Sequence, residues 1–284
     1  MQSISFSEIV RALKEAGLKP GDIVNVHCRL FTIGRILDTP AYEIPENYLH
    51  AFREVIGDQG TIVVPTGTTS FGRFGTPFVL EESPSEFGVF SEHIRKSPGA
   101  VRSLHPIQSL TALGQDAQEL ANDHPRWNVG HDTIWDRMLQ KGGKVVTLGI
   151  APRHCLTFVH QAECLACVPY MYNKILRGEV FARGERIPDD FFIAVRYLEY
   201  GIGFDLSRLE DELAARSAIT QIPLGGDNVW VTPMESVFET VLKGLRHDPY
   251  YLLRDVPTFV DGQIPLDGTT IQREGAAPNY FLPG

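Results

Sequence analysis

Between Lys144 and Glu163 the chain reads KVVTLGIAPRHCLTFVHQAE, and this stretch restricts the fold more than any other. Val145, Val146, Leu148 and Ile150 form an apolar run between a Gly-Gly pair and Ala151-Pro152, the pattern of a buried strand. From Leu156 the spacing turns helical, so His160 and Glu163, three apart, share one face. A strand, a short loop and a helix carrying a polar pair make one unit of an open α/β sheet, where chemistry gathers beyond the strand ends.

The residues before it repeat that alternation. Ser5-Phe6-Ser7-Glu8 is a capping box opening a helix through Ala16, closed by Gly17. Lys19-Pro20-Gly21-Asp22 turns the chain into a strand, 23–26, that ends at His27-Cys28-Arg29. A second amphipathic helix spans 44–56 and stops at Gly57, and a strand over 60–66 ends in small polar residues. Helix, strand, helix, strand predicts parallel βαβ units. Residues 71–87, with Pro77 and Pro84, read as a long surface loop of the kind that forms lids or binding loops. A short helix over 88–96 leads to 100–109, which has no clear period and reads as a fixed polar loop, not a strand. Short helices follow over 117–121 and 133–140, the latter capped by Asp132.

Beyond Cys167 the pattern changes to small antiparallel strands over 173–187, with turns at Arg177-Gly178 and Arg183-Gly184. A helix over 206–216 and strands over 219–223 and 228–231 come next. Thr232-Pro233-Met234-Glu235 reads as a capping box opening a helix to Gly244. The tail after residue 255 is punctuated by proline and irregular.

Composition narrows the function classes. The 284 residues carry a net charge of −9 with no Lys/Arg block, which argues against nucleic acid or an anionic membrane as partner. An acidic surface suits a cationic substrate, although acidity also serves solubility. No apolar run approaches the roughly 20 residues of a membrane span, and the N-terminal sequence has no secretory pattern, so a cytoplasmic protein with reduced thiols is expected. Cys164-Leu-Ala-Cys167, with His154, Cys155 and His160 close before it, raises zinc. No second C-x-x-C or H-x₃₋₅-H follows, and a redox motif should open its helix, not end it, so these cysteines are read as packing and no metal is expected.

Three ordered stretches carry a resemblance. The first is Phe90-Ser91-Glu92-His93-Ile94-Arg95, then Ser97-Pro98-Gly99-Ala100-Val101-Arg102-Ser103-Leu104-His105-Pro106 with Ser109, Ala112 and Gly114. The second is Gly60-Thr61-Ile62-Val63-Val64-Pro65-Thr66 with Pro84-Ser85 and Gly88, and the third Leu148-Gly149, Thr157, His160 and Glu163. Together they resemble the aminoglycoside 3-N-acetyltransferase family, acyl-CoA-dependent antibiotic N-acetyltransferases distinct from the GNAT fold. Residues 23–163 carry the likeness well and the C-terminal part loosely.

The resemblance implies a three-layer α/β fold with a mixed sheet. A Rossmann-like half over 1–168 would bind acyl-CoA, and a smaller antiparallel part over 169–284 would complete the same domain and the acceptor side of the cleft. It implies direct acyl transfer, most simply acetyl from acetyl-CoA, to an aminoglycoside, amino sugar or other small amine. An attacking amine must lose a proton, and imidazole is the side chain that ordinarily titrates near neutrality, so His160 is assigned as general base. Glu163 would orient the ring or bind substrate ammonium groups. By the same resemblance His27, Cys28 and Arg29, standing where relatives show His-Ser-Ser, would meet the pantetheine or pyrophosphate of CoA, and Arg29 is a departure. Arg102, Ser103 and Ser109 would be further CoA contacts. His105 is either a loop support or a contact, and Thr66 and Thr157 are supporting positions. Gly130-His131-Asp132-Thr133-Ile134 departs from a family Gly-x-x-Ser-Pro, which leaves the acceptor open. Two other readings stand beside this one: nucleophilic transfer or hydrolysis through Cys28 next to His27, and a catalytically silent CoA- or amine-binding relative. The oligomeric state, a homodimer included, is left open.

Overall fold

A computed structural model describes residues 2–197, 200 and 202–259. Its centre is a seven-stranded sheet in the order Thr220–Leu224, Asp227–Pro233, Lys144–Leu148, Ile23–Cys28, Thr61–Pro65, Leu110–Gly114, Val101–Arg102. Lys144–Leu148, Ile23–Cys28 and Thr61–Pro65 run parallel, and the two strands added on either side are antiparallel. The parallel strands are near-continuous apolar runs because helices cover both faces. On one face Val24, Val26, Ile62, Val64, Val146 and Leu148 pack against helices Phe6–Glu15, Ile44–Ile56 and Val89–Lys96. On the other, Ile23, Val63, Ala112 and Val145 pack against Ile134–Gln140, Val159–Ala166 and Met234–His247. This is the three-layer mixed α/β fold expected.

A smaller antiparallel sheet pairs Met171–Leu176 with Phe191–Arg196. Between these strands a hairpin of Val180–Ala182 and Glu185–Arg186 turns at Arg183-Gly184, and Val180–Ala182 also pairs in parallel with Phe78–Val79. Phe71, Phe78, Ile107, Leu176, Val180, Phe191 and Ile193 close a third core between them. The stretch 71–87, expected as a loop, therefore contains structure: helix Thr69–Phe74 and strand Phe78–Val79, held by burial of Phe71 and Phe78.

Other expectations are corrected. Residues 101–102 form an edge strand against Leu110–Gly114, a strand the pattern did not reveal. The polar residues around it are buried with partners of their own, so they carry no alternation. The strand at 23 continues through His27 to Cys28, two residues further than expected, because both still pair with Thr147 and Leu148. Thr133, not Asp132, stands at the start of Ile134–Gln140; Asp132 has φ +58° and receives two hydrogen bonds from Arg137, at 2.9 and 3.1 Å. The box at 232–235 does not form: Thr232 is buried in its strand, and Met234 N–H donates to the Gly143 carbonyl at 2.9 Å. That helix runs through Gly244 to His247, and the Tyr251 ring packs where a Cβ on Gly244 would sit.

The Ser5 box is present, with Ser5 Oγ accepting from Glu8 N–H at 3.2 Å and Glu8 Oε2 from Ser5 N–H at 2.7 Å. Ser5→Ala should cost about 1 kcal/mol, read as a lowered urea midpoint with an unchanged slope.

Candidate active site

Two strand ends and one helix build the site. Where Lys144–Leu148 ends, Gly149 takes φ +66° and its carbonyl accepts from Thr32 Oγ1 at 2.7 Å. A Cβ there would lie 2.3 Å from that oxygen, so only glycine lets the turns after the two neighbouring strands lock together. A short 3₁₀ turn, Pro152–His154, then delivers helix Val159–Ala166.

On this helix His160 Nδ1 lies 2.5 Å from Glu163 Oε2, and the Tyr170 hydroxyl donates to Glu163 Oε1 at 2.5 Å. Glu163 is fully buried, while the His160 side chain keeps 23% exposure. A carboxylate can only accept, so Nδ1 donates to Glu163, and in the neutral imidazole the lone pair falls on Nε2. Burial and the neighbouring carboxylate drive the Tyr170 phenol well above its ordinary value, which keeps it a donor. The cap residue Cys167, at φ +51°, reverses the chain so that Tyr170 meets the helix it follows. Cys164 and Cys167 line a cavity of about 180 Å³ beside Glu163 with Met171, Asn173 and Ala194. Among the described residues no three His, Cys, Asp or Glu converge as a metal site.

Phe204 sets its edge against the His160 ring, centroids 5.3 Å apart, and Arg196 lies over Phe204 at 5.2 Å. Sequence reasoning missed Tyr170, Phe204 and Arg196, which lie beyond the helix and reach the site only through tertiary packing.

His27 sits at the end of the adjacent strand. Its Nε2 is 2.8 Å from Asn25 Oδ1, with Thr157 Oγ1 at 3.5 Å. Burial lowers the ring to about 4, so His27 is neutral near pH 7. Burial also pushes the Cys28 thiol up to about 12. Arg29 is exposed, its backbone N–H donating to the Leu148 carbonyl at 2.8 Å. His27, Thr157 and the 28–29 turn thus share one end of the sheet with the helix of His160.

Arg102, Ser103 and Ser109, expected as CoA contacts, and Thr66 and His105, expected as supporting or uncertain positions, stand apart from this end of the sheet, with their side chains engaged within the fold. Two strands separate Arg102 from the strand of His27, about 14 Å at ordinary strand spacing. The buried Arg102 guanidinium donates to Ser109 Oγ at 2.9 Å, to the Ser83 carbonyl at 2.6 Å, to the Leu80 carbonyl at 3.2 Å and to the Thr66 carbonyl. Ser103 Oγ accepts from Leu110 N–H at 2.9 Å, and Thr66 Oγ1 bonds Thr111 Oγ1 at 2.9 Å. His105 is bonded within its loop and to the smaller sheet: Nε2–H donates to the Phe192 carbonyl at 3.0 Å, and Nδ1 accepts from the Gln108 and Ile107 N–H groups at 3.0 and 3.3 Å.

Residues 25–246 match the family model described as aminoglycoside 3-N-acetyltransferase, and the chain belongs to that family of N-acetyltransferases. Aminoglycoside N(3)-acetyltransferase VII of Streptomyces paromomycinus is 32% identical over 204 residues, spanning 65% of this chain and 68% of that protein. The crystal structure of aminoglycoside acetyltransferase AAC(3)-Xa superposes with a TM-score of 0.73 at 26% identity, covering 89% of this chain and 95% of that one. A structure of AAC-IIIb, solved as a binary complex with CoASH, shares the fold with a TM-score of 0.71 at 23% identity, covering 90% of this chain and all of that one.

Two outcomes test the buried groups. Arg102→Gln strips donors from buried carbonyls and should lower stability by about 3 kcal/mol, measured by urea denaturation, with the KM for acetyl-CoA unchanged. Burial holds His105 down to about 3 and His124 down to about 4. Unfolded histidines protonate near their ordinary value of about 6.5, so below it the unfolded chain binds more protons. Stability should therefore fall as pH drops from about 6.5 to about 3, and the slope of urea midpoint against pH should shrink in His124→Gln.

Proposed function

We propose that this protein transfers an acetyl group from acetyl-CoA to a small-molecule amine, with His160 as general base. The observation that carries this is the His160–Glu163–Tyr170 chain, in which Glu163 takes the Nδ1 proton of a part-exposed imidazole, so that the neutral ring presents its lone pair at Nε2. Acetyl-CoA as donor is supported by family membership and by the CoASH held in AAC-IIIb. An amine acceptor is supported by the relatives' activity on aminoglycosides, as their names state.

In the reaction the amine nitrogen attacks the thioester carbonyl, forming the C–N bond while His160 Nε2 takes its proton. The imidazolium gains stability from the Glu163 carboxylate. The tetrahedral intermediate collapses with cleavage of C–S, and His160 returns the proton to the departing thiolate, giving amide and CoA. Thr157 and the His27–Arg29 turn lie where they can border the pantetheine arm. The resemblance-based roles of Arg102, Ser103 and Ser109 are not carried forward.

An acyl-enzyme on Cys28 is the weaker reading. Attack needs a thiolate, and burial moves this thiol away from ionisation while His27 is engaged by Asn25. A silent binding relative has no need of a buried carboxylate fixing one imidazole tautomer.

His160→Gln should lower kcat by about 10²–10⁴-fold, measured by thiol release, with CoA affinity by calorimetry unchanged. Cys28→Ser should retain turnover. Full turnover in His160→Gln, or acyl labelling of Cys28, would overturn the assignment.

A further inference from the structure

A guanidinium lies close to the proposed base, within electrostatic reach of the Glu163 carboxylate. Arg196, the last residue of strand Phe191–Arg196, is half-buried, and its guanidinium lies over the Phe204 ring that touches His160. Among the described residues no oxygen accepts from it. Four other arginines with little exposure have oxygen partners. Arg95 holds Glu92, Arg126 holds Asp189, Arg137 holds Asp132, and Arg102 holds its buried carbonyls. A guanidinium offers five donors, and leaving them half out of water without acceptors is unfavourable unless a ligand supplies the oxygens.

The nearby carboxylates are already engaged. Glu163 is held by His160 and Tyr170, Glu210 by Arg153, and Asp205 accepts from Ser207 N–H. A second arginine, Arg254, lies along Gly203, the residue before Phe204, and its N–H donates to the Gly203 carbonyl at 3.0 Å. Thus a chain with net charge −9 places the Arg196 guanidinium over the ring that borders its proposed base. A substrate bearing an oxyanion can be held and oriented there by the open donors of Arg196.

We infer that the acceptor amine carries a carboxylate or phosphoryl group and that Arg196 receives it, a specificity that rests on the N-acetyltransferase reading of His160. The contacts of 5.3 and 5.2 Å bound the distance from the His160 ring centre to the Arg196 guanidinium carbon at about 10.5 Å. That span suits an amine and an oxyanion on one small molecule. The other source of oxyanions is CoA. Its thioester sulfur and first phosphate are separated by 13 bonds, about 15 Å extended at the reach of a peptide chain, so a CoA with its thioester at His160 carries its phosphates past Arg196.

The test compares acceptors matched in everything but charge: glucosamine 6-phosphate with glucosamine, β-alanine with 3-aminopropanol, and kanamycin as a polycation. In thiol-release assays the anionic member of each pair should have at least tenfold higher kcat/KM. Arg196→Gln should abolish that preference by raising the acceptor KM with the acetyl-CoA KM unchanged, and Arg196→Lys should restore part of it. A preference for kanamycin or the neutral amines that Arg196→Gln leaves alone would overturn the inference. So would a rise confined to the acetyl-CoA KM, which would put the oxyanion on CoA. Absence of thiol release with every amine would count against the transferase reading alone. Charge selection would then be read by calorimetry with CoA present. Tenfold weaker binding of the anionic amines to Arg196→Gln would support the inference, and equal affinity would overturn it.

Discussion

The Glu163 carboxylate is shut away from water, and much of the site's arrangement follows from that constraint. A buried carboxylate is costly unless its oxygens find donors, and here one oxygen takes the His160 Nδ1–H and the other the Tyr170 hydroxyl. The pairing fixes the imidazole's orientation and proton position together. It also fixes the backbone: Tyr170 arrives because Cys167 adopts a left-handed conformation at the helix end, with Val168 N–H closing onto the Glu163 carbonyl at 3.3 Å. A residue first noticed as half of a C-x-x-C pair therefore acts through its backbone.

The same physics separates the residues that were legible in the sequence from those that were not. His160 and Glu163 could be paired from their spacing, since one helical turn brings them together. Tyr170 stands past the point where the helical period ends, and Arg196 belongs to a ribbon whose register depends on pairing with Met171–Leu176. Neither position has a local signature. Arg102 is hard to read for a different reason: arginine with serines is a phosphate-binding composition, but carbonyl oxygens satisfy the same donors. Only burial, which a sequence does not state, distinguishes the two. Leu110–Gly114 was hidden likewise, because Ser109 and Thr111 are polar yet wholly buried. The parallel strands and the helices at 6–15 and 44–56 were plain, since apolar period, caps and terminal glycines agree there.

Family membership and the local charge bear on different questions. The match over residues 25–246 accounts for the fold and the class of reaction. If Arg196 receives the acceptor's oxyanion, choice of acceptor belongs to the ribbon and the segment around Phe204, on the C-terminal side where the sequence likeness is loosest. A scaffold that keeps its sheet and varies this ribbon can then change partner without disturbing His160.

Strand Lys144–Leu148 lies third in the sheet, covered on its outer side by Asp227–Pro233. During synthesis that cover is the last strand of the sheet to appear. Until then the strand leading to His160 has Ile23–Cys28 on one flank and open backbone donors and acceptors on the other. An uncovered edge of this kind, reading Lys-Val-Val-Thr-Leu, is a template for pairing with another nascent chain. The strand that leads to His160 thus has an edge open to misassembly until the hairpin that ends the sheet covers it.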